Sequence, residues 1–63
     1  MKFSKDIDGT TVIIKPQGKA WSVALLGDYC SNFGRFENNR LSMEWDWGLT
    51  PKVKGFIKSK LTQ

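Results

Sequence analysis

An α+β fold, a twisted antiparallel β-meander of four to five strands with one C-terminal α-helix packed on one face, is predicted by three features of the 63-residue chain. Hairpin-turn signals recur at intervals of about ten residues. Between them, apolar and polar residues alternate with the period of two that a half-buried strand requires. After Gly48 the apolar period lengthens to that of a helix.

The first hairpin is set by Asp8-Gly9, which tolerates positive φ at both loop positions and lies between KFSKDI and TTVIIK. It predicts strands over residues 2–7 and 10–15, pairing Ile7 with Thr10 and Phe3 with Ile14. Phe3, Ile7, Val12 and Ile14 then share one face. Lys5 shares it too, at the edge, with its ammonium in water.

Pro16-Gln17-Gly18 marks the second turn. Proline second and glycine fourth favour a type I turn with a bulge, pairing Lys15 with Lys19 and Ile13 with Trp21. A loop of even offset instead pairs Ile14 with Trp21 and Val12 with Val23. Only this second register joins the apolar faces of neighbouring strands, and a slip of one residue would turn a whole strand over. Packing therefore favours it, while turn statistics favour the first.

Gly27-Asp28 reads as a glycine-first II′ turn joining strands over 19–26 and 29–37. It pairs Leu25 with Cys30 and puts Trp21, Val23, Leu25, Cys30 and Phe36 on the apolar face. Asn32 and Gly34 are poor strand formers, predicting a bulge or irregular crossing. A competing reading makes Ala20 to Tyr29 a helix, with Trp21, Ala24, Leu25 and Tyr29 at helical spacing.

Asn38-Asn39 is a type I′ loop leading into a last strand over 40–47. In its register Glu37 faces Arg40, Phe36 faces Leu41, Arg35 faces Ser42 and Gly34 faces Met43. Leu41, Met43, Trp45 and Trp47 alternate with Ser42, Glu44 and Asp46, so Trp45 is expected in the core. Thr50 is a good N-cap and Pro51 a good first helical residue, and Val53, Phe56, Ile57 and Leu61 form the apolar stripe of a helix over 51–61. Gly55, opposite the stripe, weakens an isolated helix by about 1 kcal/mol relative to alanine. Docking must hold this helix, with Trp45 and Trp47 as the expected landing site.

A domain this small buries only about 60% of the surface its unfolded chain exposes, leaving no room for a deep active site. The chain has no histidine and one cysteine, so neither a Cys/His metal set nor an intramolecular disulfide is expected. Cys30 reads as a small core residue. Glu44 and Asp46 would lie about 7 Å apart on one side of a strand. No histidine, phosphate loop or nucleophile with a base accompanies them, so no enzymatic activity, cofactor or metal is expected. No apolar run approaches membrane-spanning length and no signal-peptide pattern opens the chain, which predicts a cytoplasmic protein that does not enter membranes.

Charge is unevenly placed. Residues 1–20 carry a net +2, residues 21–48 a net −2 and residues 49–63 a net +4. The sheet face away from the helix is expected to carry Thr11, Ile13, Ala24, Leu26, Tyr29, Phe33 and Arg35, rimmed by Glu37, Arg40, Ser42, Glu44 and Asp46. An apolar and aromatic centre with a charged rim suits a protein interface or a homodimer surface. The expected contacts are Leu26, Tyr29, Phe33, Arg35 and Arg40. The expected function is a small non-enzymatic binding protein that masks a surface of a larger macromolecule. Small inhibitors of host enzymes or nucleic-acid-handling complexes, carried by phages and mobile elements, have this economy. The alternative is direct binding of single-stranded or non-specific nucleic acid through Lys52, Lys54, Lys58 and Lys60, with Tyr29 and Phe33 stacking on bases.

Overall fold

The computed structural model describes residues 1–62. Its elements are β1 (Phe3–Ile7), β2 (Thr10–Gln17), β3 (Ala20–Leu26), β4 (Ser31–Glu37), β5 (Arg40–Met43) and α1 (Pro51–Leu61). The five strands form one antiparallel sheet in chain order, so the fold is the α+β meander predicted. Ala20–Leu26 is a strand with Val23 and Leu25 fully buried, which removes the helical reading of that stretch.

Two of the four turns have the predicted chemistry. Asp8 and Gly9 have φ of 51° and 84°, and Asn38 and Asn39 of 55° and 60°. Positive φ at both loop positions is what a type I′ turn requires. The registers that follow, Phe3 with Ile14 and Gly34 with Met43, are those expected.

The other two turns are displaced by two residues. Strand β2 continues through Pro16, the loop is Gly18-Lys19, and Ile14 faces Val23 while Pro16 faces Trp21. Gln17 and Ala20 flank the two-residue loop as a hydrogen-bonded pair, so position 16 directs its missing N–H away from β3. Strand β1 stops at Phe3 opposite Ile14, and no pairing on that side is lost. Between β3 and β4 the loop spans residues 27–30, closed by the Gly27 N–H donating to the Cys30 carbonyl at 2.8 Å. Leu25 therefore faces Asn32, and Tyr29 and Cys30 leave the strand for the loop. An even displacement preserves which side chains point inward, so the apolar face survives both errors.

Strand β5 ends at Met43, four residues short of the expected limit. The cause is Asn32, which is fully buried on the apolar face. Its Nδ2 donates to the Trp45 carbonyl and to the Trp47 carbonyl, each at 2.8 Å, and its Oδ1 accepts from the Trp45 N–H at 3.3 Å. Two oxygens held 2.8 Å from one nitrogen are less than about 6 Å apart. In an extended strand the carbonyls of residues i and i+2 are separated by about 7 Å. The segment after Glu44 must therefore bend around the carboxamide. The bend turns Trp45 outward, to 51% exposure, while Trp47 packs against the core.

The core is Val12, Ile14, Val23, Leu25 and Phe36 from the sheet with Val53 and Ile57 from α1. The helix packs on one face of the sheet as predicted, with Trp47 and Leu49 packed against the same core; of the expected landing pair Trp45 is excluded. Gly34 permits a close approach: a Cβ there would fall 2.5 Å from Met43 Sδ and 2.7 Å from Met43 Cα. Thr50 caps α1, its Oγ1 accepting from the Val53 N–H at 3.3 Å, and Pro51 opens the first turn.

Asn32→Ala leaves two bent-in carbonyls and one N–H without partners and is expected to cost about 2–4 kcal/mol in urea unfolding, at roughly 1–3 kcal/mol for each buried group that finds no water. Trp45→Ala is expected to cost about 1 kcal/mol or less, against the 3–5 kcal/mol of a core tryptophan. Equal losses in the two variants would contradict the assignment of the inward side chain to Asn32.

Candidate binding surfaces

In a five-strand meander the turns alternate between the two ends of the sheet. The Asp8-Gly9 turn, the 27–30 loop and the bend after β5 therefore share one end. The Gly18-Lys19 and Asn38-Asn39 turns share the other. The helix runs from the first end to the second: Lys52 Nζ lies 3.6 Å from the Asp8 carboxylate, and Lys60 Nζ lies 5.7 Å from the centre of the Phe3 ring. This geometry sorts charge along the strands. Asp6, Asp8, Asp28, Glu44 and Asp46, five of the six acids, lie toward the first end. Lys2, Lys15, Lys19, Arg35, Arg40, Lys58 and Lys60 lie toward the second, with Glu37 the one acid among them.

The open sheet face is built on three central strands. Phe33 faces Ala24 across one ladder and Ala24 faces Ile13 across the next, giving an apolar row with Leu26 opposite Thr11 beside it. Ile13, Ala24 and Leu26 are half-buried by their neighbours, and Phe33 is 48% exposed. At the acidic end the Trp45 indole Nε1 donates to the Ser31 carbonyl at 3.1 Å, which holds the ring against the start of β4. Tyr29, two residues before Ser31, is 99% exposed at the loop tip. Three exposed aromatics thus lie at this end, Tyr29 and Phe33 each two residues from Ser31 along the chain and Trp45 bonded to it, and Asp28, Glu44 and Asp46 are the chain neighbours of Tyr29 and Trp45.

Of the contacts expected from sequence, Leu26 and Phe33 lie on this face as the alternation required. Tyr29 does not sit on β4, because the four-residue loop displaces it. Arg35 is on the face but engaged along its own strand, with Nη2 3.1 Å from Glu37 Oε1. That pairing removes Glu37 from Arg40, its expected cross-strand partner. Arg40 stands apart from the aromatics at the opposite end. Trp45 was missed because strict alternation directs it inward; a polar Asn32 at a core-facing strand position was the signal that something nearby had to bend. Glu44 and Asp46, expected on one side of a strand, lie beyond the end of β5, and Cys30 is a half-buried loop residue rather than a core one.

The four helix lysines have different surroundings. Lys52 pairs with Asp8, and Lys60 lies over the rings of Phe3 and Phe56 at 5.7 and 5.8 Å. Lys5 lies 5.6 Å from the Phe56 ring centre. Lys54 and Lys58, one turn apart, instead line a groove of about 340 Å³ between β5 and α1, together with Asn39, Arg40, Leu41 and Leu49. No acid lines it. Lys58 lies in the last turn, where a cation complements the helix dipole. Lys54, near the N-terminus, has no such support and stands four residues from a like charge, which costs about 0.2–0.5 kcal/mol.

No described helix is long and apolar enough to cross a membrane. No family model matches the chain, and no curated protein or solved structure is significantly similar to it.

A double-mutant cycle between Arg35 and Glu37 is expected to give a coupling of about 0.2–1 kcal/mol, the range for an exposed pair. The same cycle between Glu37 and Arg40 is expected to give none. Coupling carried by the second pair would place the Glu37 carboxylate on the wrong strand.

Proposed function

We propose that this protein is a non-enzymatic binding module that masks a surface on a larger protein, using the acidic end of its open sheet face. The observation that carries this reading is the cluster of Tyr29, Phe33 and Trp45, exposed by 99%, 48% and 51% around one strand start. Large exposed aromatics gathered in one place mark interaction sites, and binding energy concentrates in such anchors. Ile13, Ala24 and Leu26 extend the patch as an apolar floor on a sheet that needs no rearrangement to present it. Asp28, Glu44 and Asp46 give it an acidic surround. That charge favours a partner surface carrying lysine and arginine and opposes a phosphate backbone at the same place.

Occlusion is a function that a single small domain can perform with one preformed face. It is the mode of small inhibitors and regulators of host enzymes or nucleic-acid-handling complexes carried by phages and mobile elements. The reading sets the encounter in the cytoplasm. A second copy of the chain is the competing occupant of the same face, since the face is apolar at its centre.

Tyr29→Ala, Phe33→Ala and Trp45→Ala are each expected to unfold within about 1 kcal/mol of the parent. Each is expected to weaken binding to the partner at least tenfold, about 1.4 kcal/mol. The partner would be identified by capture on the immobilised protein with nuclease present, then purified for titration. Sedimentation of the parent alone separates self-association from a foreign partner. Full affinity in all three variants would move the contact elsewhere, and loss of folding in Phe33→Ala would make that side chain core.

A further inference from the structure

We infer that the groove between β5 and α1 is a second, separate site that takes the phosphodiester backbone of a nucleic acid, held by Arg40, Lys54 and Lys58. The three cations come from two elements that meet only in the folded chain. Arg40 opens β5 directly after the Asn38-Asn39 turn, and Lys54 and Lys58 project from successive turns of α1. All three are exposed and line one groove of about 340 Å³ with no acid among its walls; Arg40, at the sheet edge, also borders the open-face groove that holds Arg35 and Glu37.

The neighbouring charges explain why these cations stay available. Glu37, which the strand register places opposite Arg40, is held by Arg35 at 3.1 Å. Asp8 serves Lys52 at the far end of the helix. Among the described residues no carboxylate lies within 4.0 Å of the charged group of Arg40, Lys54 or Lys58. The alternation of turns has drawn the remaining acids to the opposite end of the sheet. Beyond the Asn38-Asn39 turn the adjoining groove holds both Lys19 and Glu37 in its lining, so the acid-free stretch ends at that turn.

The chemistry of the groove fits a phosphodiester better than a base or a lone carboxylate. A guanidinium donates two parallel hydrogen bonds to phosphate oxygens, and two ammoniums one helical turn apart, about 5.4 Å, suit successive charges on an extended polyanion. Leu41 and Leu49 offer an apolar floor to sugars. No aromatic side chain lines the groove, so it supplies no stacking platform and no base-edge readout. The recognition is therefore of backbone and not of sequence. It uses Lys54 and Lys58 of the four lysines that the sequence singled out, adds Arg40, and leaves Tyr29 and Phe33 uninvolved.

The test is fluorescence anisotropy of a labelled thymidine 20-mer with the full chain from 50 to 200 mM salt. Three backbone contacts on a single strand predict a log–log slope near −2, a loss of roughly twentyfold over that range. Arg40→Ala, Lys54→Ala and Lys58→Ala should each make the slope shallower by about 0.7, while Lys52→Ala leaves it unchanged. Each variant should melt at the parent temperature, because the three side chains are exposed. Phe33→Ala should bind the oligonucleotide as the parent does, which separates this site from the aromatic face. Absence of binding at 50 mM salt, or a slope unchanged in the Arg40/Lys54 double variant, would overturn the assignment. Poly-glutamate binding as tightly as the oligonucleotide would replace the nucleic acid with an acidic protein segment and overturn it too.

Discussion

The buried carboxamide of Asn32 is the constraint on which the second half of the molecule depends. A polar side chain with no water around it must find its hydrogen bonds within the protein, or forfeit the full cost of desolvation. Asn32 finds three, all in the segment that follows β5. Its two N–H bonds draw in carbonyls that an extended strand would keep too far apart, so the strand ends and the chain bends. The bend puts Trp47 against the core, where a Cβ on Gly27 would lie 2.6 Å from its ring, and puts Trp45 at the surface. It also sets the start of the path that brings Thr50 to cap α1 on one face of the sheet. An apolar residue at position 32 would bury as well, but it would leave the Trp45 and Trp47 carbonyls and the Trp45 N–H of the bend without the partners that Asn32 gives them.

Charge follows from the topology in the same way. Read linearly, the chain has a mildly basic start, an acidic middle and a basic end. Folded as a meander, every second turn returns to the same end of the sheet, so Asp8, Asp28 and Asp46 are gathered at one end although about twenty residues separate each from the next. The helix then runs its N-terminus into that acidic end, where Lys52 meets Asp8, and carries Lys58 and Lys60 to the other. One polar molecule results, with exposed aromatics among the acids and an acid-free groove among the cations.

What was legible in the sequence was whatever is decided locally. Asp8-Gly9 and Asn38-Asn39 specify both loop length and backbone conformation, and their registers came out right. Pro16-Gln17-Gly18 and Gly27-Asp28 announce a turn without specifying its length, and both were displaced by two residues. The inward face was still correct, because period two is blind to an even shift. The role of Asn32 was hidden for a different reason: its partners lie 13 and 15 residues away, and nothing in the strand itself shows that a polar residue will be satisfied. The candidate sites divide along the same line. Leu26 and Phe33 were placed by parity alone. Tyr29, Trp45 and the separate fates of the four helix lysines required contacts that only the folded chain makes.

The edges of the sheet bear on how such a domain meets a partner. Unpaired strand edges invite another strand, and proteins that avoid this keep edges short, charged or bent. Here β5 is four residues long and ends at the Asn32 bend, and β1, five residues long, carries Lys5 and Asp6 beside Lys2. Both edges are blunted, whereas the open face presents Ile13, Ala24, Leu26 and Phe33 together on paired strands. Addition of a partner strand is thus the less favoured route, and face-on docking the more favoured. The three aromatics also differ in readiness. The Trp45 ring is already held by Ser31 and Phe33 sits on a paired strand, so both meet a partner with little ordering left to do. Tyr29 stands free at a loop tip and must give up rotamer freedom, about 0.5–1.5 kcal/mol, on contact. Within the aromatic cluster, Phe33 and Trp45 are therefore the pre-organised anchors and Tyr29 the adaptable one.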